Sequence, residues 1–141
     1  MSTEENKELV RHAFERVNKE KNIIAFFDIC DSDYVEHYTD HDETLEQAQQ
    51  LILSIPAVSE YSLTIDDLLG DGDKVVYRVT HRMTFQATGK KTQMTNTCIV
   101  RIANDKIVEN WVSVDTLHVG QQLGVLLPTE EIWMQIMNSV N

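Results

Sequence analysis

The stretch Lys74-Val75-Val76-Tyr77-Arg78-Val79-Thr80-His81-Arg82-Met83-Thr84-Phe85-Gln86 decides the fold. Val75, Tyr77, Val79, His81, Met83 and Phe85 fall on one side of it, and Arg78, Thr80, Arg82 and Thr84 on the other. A period of two with one apolar side is a strand with one buried face. The same period recurs over Ser59–Leu69, Thr92–Ala103 and Lys106–Asp115. Gly70-Asp71-Gly72-Asp73, Thr88-Gly89-Lys90 and Asn104-Asp105 between these runs supply hairpin turn chemistry. Links that short force neighbouring strands to run antiparallel.

Upstream of this meander the period is helical. Ser2 with Glu5 three residues later forms a capping box, and Leu9, Val10, Ala13, Phe14 and Val17 share one stripe. Asn22–Asp31 is apolar nearly all round and predicts a short helix sandwiched in a core. Tyr34–Tyr38 reads as a short extended piece and Thr39–Glu43 as a polar link. From Thr44, a third helix carries Leu45, Ala48, Leu51, Ile52 and Ile55 until Pro56 stops it. Downstream, His118–Leu127 is apolar and broken by Gly120 and Gly124. Pro128 then opens a final helix with Ile132, Trp133, Ile136, Met137 and Val140 on one stripe. N-terminal helices packed on a strongly curved antiparallel sheet, with a C-terminal helix, make an α+β fold over a single domain, residues 1–141.

Charge narrows the partners. The 141 residues carry 12 Lys and Arg against 23 Asp and Glu, a net charge of −11. All of the imbalance lies in residues 1–70, with 5 basic and 16 acidic side chains, and no Lys or Arg occurs between Asn22 and Asp73. Such a chain is repelled by nucleic-acid phosphates and anionic membrane surfaces, so neither is an expected partner. Cys30 and Cys98 belong to no CxxC or Cys/His cluster and read as small buried apolar residues. The charged N-terminus lacks a signal peptide's apolar core, and no apolar run approaches the ~20 residues that span a bilayer. A cytoplasmic location is expected.

Several segments together carry a family likeness. Val17-Asn18, Tyr34-Val35-Glu36-His37, Ile102-Ala103-Asn104-Asp105-Lys106-Ile107-Val108-Glu109-Asn110-Trp111, Val114-Asp115-Thr116-Leu117 and Gln121-Gln122-Leu123-Gly124 are similar to the SnoaL-like polyketide cyclase family. The resemblance implies a cone of the nuclear transport factor 2-like superfamily, with helices closing over a bent sheet around a deep pocket for a small hydrophobic ligand. It also implies a homodimer formed through the outer sheet face, here Arg78, Thr80, Arg82, Thr95, Thr97 and Arg101. Cyclases of the family catalyse intramolecular aldol condensation without metal or cofactor, using an acidic residue as acid/base. Sister families isomerise ketosteroids, dehydrate or open epoxides. Two departures stand out. Asn110-Trp111-Val112 replaces the common His-Trp-Asp, and the loop between the two middle strands is cut to Ala87–Lys91.

Asp115 is the candidate catalytic base. Proton removal beside a carbonyl needs a carboxylate with a raised pKa and a donor for the enolate. The alternative is that Asp115 caps the segment after it. His81, on an apolar face, is either a donor or proton relay in catalysis or a satisfied core histidine. Asn96 and Tyr77 are candidate partners of a substrate carbonyl, or of each other. Met83, Phe85 and Trp111 are candidate pocket wall or core. In Lys106–Asp115 both faces mix apolar and polar residues, so alternation does not decide whether Glu109 beside Trp111 lines a pocket or faces water. Tyr34 and His37 complete the candidate binding set, His37 at the pocket rim. His37 and His41 lie four apart, but their surroundings do not read as helix, so no metal site is expected. These residues fit a cofactor-free cyclase or isomerase, a ligand-binding module without catalysis, or a dimeric interaction protein.

Overall fold

The computed structural model describes residues 2–141. Helix α1 (Thr3–Glu20) starts in the reciprocal Ser2–Glu5 capping box, and Lys21 ends it in the left-handed region at φ 55°. Val10, Ala13, Phe14 and Val17 form its buried stripe. The Phe14 ring stacks on Phe26 at 5.1 Å and meets Tyr77 edge-on at 4.8 Å, which fastens α1 to the sheet. Burial of one such ring contributes about 1.5–3 kcal/mol.

The helix expected over Asn22–Asp31 is instead a 3-10 segment, Ile23–Ile29. Asn22 Oδ1 accepts from the Ile24 N–H at 3.1 Å, and Cys30 is already extended, so the chain passes directly into β1 (Cys30–His37). Three residues per turn bring Ile23, Phe26 and Ile29 to the same side. Next come β2 (Asp42–Thr44), α2 (Leu45–Leu53), β3 (Val58–Asp71), β4 (Lys74–Phe85), β5 (Lys91–Ala103), β6 (Lys106–Val114), α3 (Thr116–Gln122) and α4 (Thr129–Ser139).

The strands form one six-stranded sheet in the order β2-β1-β6-β5-β4-β3. The antiparallel meander of β3 to β6 is present, but β1 joins β6 in parallel and β2 extends the sheet beyond it. The sheet is therefore mixed rather than purely antiparallel. Pairing between segments so distant in sequence leaves no turn signature. It covers the edge of β6, whose backbone donors and acceptors would otherwise lack partners.

A bulge in β6 decides which of its side chains face the helices. Arg101 pairs with Glu109 whereas Ile102 pairs with Ile107, leaving Val108 as the extra residue. Alternation inverts there. Ile107 is fully buried, then Asn110, Val112 and Val114 point inward, and Trp111 points outward. At the β3–β4 hairpin, α1 comes so close that a Cβ on Gly70 would lie 2.6 Å from Thr3 Cγ2. Thr3 Oγ1 and Asn6 Nδ2 both donate to the Gly72 carbonyl, at 3.3 and 3.5 Å.

Helix α4 has its apolar stripe but buries none of its residues, and Trp133 is 58% exposed. Cys30 and Cys98 are buried and unpaired. Among the described residues, no helix is long and apolar enough to cross a membrane.

Candidate functional site

Between the helices and the inner sheet face lies a cavity of about 380 Å³. Phe14, Val17, Phe26, Phe27, Val79, Met94, Val112 and Val114 supply most of its apolar wall. Polar groups gather in two places.

Parity along β1 makes the first. Tyr34, Glu36 and Tyr38 line the cavity, and Glu36 is the one carboxylate there among the described residues. The Tyr38 hydroxyl donates to Glu36 Oε1 at 3.1 Å, whereas Oε2 is buried without a partner. Burial pushes the Glu36 carboxyl above its ordinary range; the Tyr38 hydrogen bond and, more weakly, the nearby Tyr34 hydroxyl oppose this, and Glu43, paired with it across β2, adds to it. Asn110 stands beside Glu36 in the parallel register, and its Nδ2 donates to the Tyr77 hydroxyl at 3.2 Å. Asn110 Oδ1 and the Tyr34 hydroxyl are buried and unpaired. Burial raises the pKa of Tyr34, Tyr38 and Tyr77, so each is a phenol able to donate.

The second polar group is built on β3, β4 and β5. His81 Nδ1 and the Tyr61 hydroxyl share a hydrogen bond, and His81 Nε2 lies 3.5 Å from the Asn96 amide. Burial lowers the His81 pKa to about 4, so the ring is neutral at neutral pH. Asn110 pairs with Val100, and Asn96 follows four residues away on the same face of β5. The two polar ends are therefore separated by roughly 13 Å along the strand.

Of the residues read from sequence, Tyr34, Tyr77, His81 and Asn96 line the cavity together. Asp115 does not line it. Its exposed carboxylate accepts from the His118 N–H at 3.0 Å and caps α3, because β6 ends one residue earlier and the chain turns there. Glu109, Trp111 and His37 also lie outside. The β6 bulge turns Glu109 and Trp111 to the outer face, where Glu109 holds Arg101 at 2.6 Å and His37 Nε2 at 2.8 Å. His37 stacks on Trp111, and Lys74 sits over the indole at 5.2 Å. Asp42 bonds the other ring nitrogen of His37, and together with Glu109 raises its pKa. Met83 is buried core bordering a neighbouring groove, and Phe85 packs against the core from the far end of β4. His41 is taken by Asp40 and Glu43, and no cluster of three or more His, Cys, Asp or Glu is arranged for a metal ion among the described residues.

Sequence reading missed Glu36, Tyr38 and Asn110 as cavity groups. Strict alternation from Tyr34 carries the signal for the first two. For Asn110 the bulge hides it. Tyr61 as the partner of His81 had no local signal, since they lie 20 residues apart on neighbouring strands.

Comparison with known proteins agrees with this architecture. AclR, a proposed hydroxylase from Streptomyces galilaeus, superposes with a TM-score of 0.80 at 20% identity, covering 89% of this chain and 100% of that one. TsrD from Streptomyces laurentii gives 0.71 at 24% identity, over 89% and 99% of the two chains. IdmH, a proposed polyketide cyclase from Streptomyces antibioticus, gives 0.66 at 22% identity, over 85% and 99%. At these identities the likeness is one of fold. No curated protein matches the chain. The family model described as SnoaL-like polyketide cyclase matches residues 8–123, and with most of its length inside that span the chain belongs to the SnoaL-like polyketide cyclase family.

Proposed function

We propose that this chain is a cofactor-free acid/base catalyst acting on an apolar carbonyl compound, with Glu36 rather than Asp115 as the acid/base. The observation that carries the reading is the unpaired Oε2 of Glu36, buried in an apolar cavity and raised in pKa by that burial. A carboxylate so placed removes a proton beside a ketone near neutral pH. The Tyr34 hydroxyl, buried and unpaired at the same end, donates to the oxygen that gains charge. Glu36 returns the proton to carbon or oxygen to close the cycle, as an isomerisation or an aldol cyclisation requires.

Tetralone in deuterium oxide provides the test. The protein accelerates exchange of its α-protons over buffer, and Glu36→Gln abolishes the acceleration. Exchange at the buffer rate, or undiminished exchange in Glu36→Gln, removes the proposal.

A second reading, a binding module without catalysis, is favoured by one observation. Asn110 and Val112, both facing the cavity, stand where the family commonly carries ionisable residues. A small molecule retained in native mass spectrometry, with no exchange activity, supports it.

The proposed assembly is a homodimer through the outer sheet face. Ile99 and Trp111 face each other there across β5 and β6, 39% and 36% exposed among polar neighbours. Thr97→Glu then shifts the protein to monomer in sedimentation, and an unchanged dimer refutes this interface.

A further inference from the structure

We infer that the cavity takes an elongated apolar molecule with an oxygen function at each end, and that Asn96 and His81 are the specificity-determining anchor at the end away from Glu36. The inference rests on the reading above only for the chemistry at Glu36; the far anchor stands on its own geometry.

Among the described residues, buried side-chain polar atoms without partners occur on Asn6, Tyr34, Glu36, Glu43, Asn96 and Asn110. Four of these six residues line the one cavity, and they divide between its ends: Tyr34, Glu36 and Asn110 at one, Asn96 at the other. Leaving such an atom unmade costs about 1–3 kcal/mol, so the ends are where a ligand gains most. Between them the wall is apolar, with Phe14, Val79, Cys98 and Val112. No Lys or Arg lines the cavity among the described residues, which suits carbonyl, hydroxyl or ether oxygens better than anions.

The far anchor is a defined device. A phenol is a stronger acid than a neutral imidazole, so Tyr61 donates to His81 Nδ1 and leaves the ring proton on Nε2. With its amide turned so that Oδ1 accepts this Nε2–H at the 3.5 Å contact, Asn96 satisfies its orphaned oxygen. Its amino group then projects into the cavity as a neutral donor. Tyr61 borders the neighbouring groove rather than the cavity, so it acts as a positioning residue that fixes the tautomer.

Calorimetric titration with three probes tests this: decane bearing a hydroxyl at both ends, decanol with one, and the terminal diol of hexane. The decane diol spans the two ends. It binds about ten-fold more tightly than decanol, the gain of one further hydrogen bond, and the short diol shows no such gain. Asn96→Leu removes the advantage of the decane diol over decanol. Tyr61→Phe keeps the fold but reduces the advantage several-fold, which a loss of packing alone would not do. An absent preference in the parent protein, or one that survives both substitutions, overturns the inference. Glu36→Gln separates the two proposals, since glutamine still bonds a hydroxyl. A preference without proton exchange sinks the acid/base reading alone, and exchange without the preference sinks this one alone.

Discussion

Tyr38 donates its hydroxyl to Glu36 Oε1 at 3.1 Å while Glu36 Oε2 stays buried and unpaired inside the cavity. One oxygen is held and the other is available, which orients the carboxyl toward whatever fills the space. The local cost is a carboxyl that resists ionisation, because burial outweighs the Tyr38 hydrogen bond.

That cost has a sign in stability. A carboxyl whose folded pKa exceeds its unfolded value favours folding below about 4.5, and the benefit is lost as pH rises through the folded value. Glu36→Gln therefore raises the melting temperature near pH 8, by about 2–8 °C for each kcal/mol relieved, and leaves it unchanged near pH 4. Thermal melts at the two pH values check this.

His81 acts in the other direction. Its pKa falls from 6.5 unfolded to about 4 folded, so the unfolded chain binds the extra proton and stability declines as pH drops from 6.5 to 4. The loss is on the order of 3 kcal/mol across that window. His81→Phe flattens this part of the profile in urea melts. The more exposed His37 and His41, both raised by carboxylate partners, favour the folded state below 6.5 and lose that effect above it.

Phe14 joins α1 to the 3-10 segment and to β4, and it also walls the cavity. Phe14→Ala costs about 3–5 kcal/mol in chemical denaturation. Tyr77→Phe, which keeps that aromatic contact and removes the hydroxyl partner of Asn110, costs about 0.5–1.5 kcal/mol.

The apolar stripe of α4 contributes little to the folded chain, because none of its residues is buried. Replacing Trp133 and Met137 together by Ser changes the free energy of unfolding by less than about 0.5 kcal/mol. A larger loss would mean that α4 is covered in solution.

The residue pattern by itself determined the helical start, the β3 to β6 meander with its turns, and the inward face of β4 that carries Tyr77 and His81. Period and turn chemistry are local properties of the backbone, and they read directly from neighbouring residues. The same rule points to Glu36, two residues from Tyr34 on one strand face. Only the tertiary structure decided the rest. One bulge at Val108 inverts β6, placing Asn110 and Val112 in the cavity and Glu109 and Trp111 outside. The parallel pairing of β1 with β6 sets Glu36 beside Asn110, and the β3–β4 pairing brings Tyr61 to His81. Asp115 became a helix cap because the strand ended before it. Each of these follows from register between distant segments, which is chosen by the packing of the whole sheet and leaves no trace in the spacing of neighbouring residues.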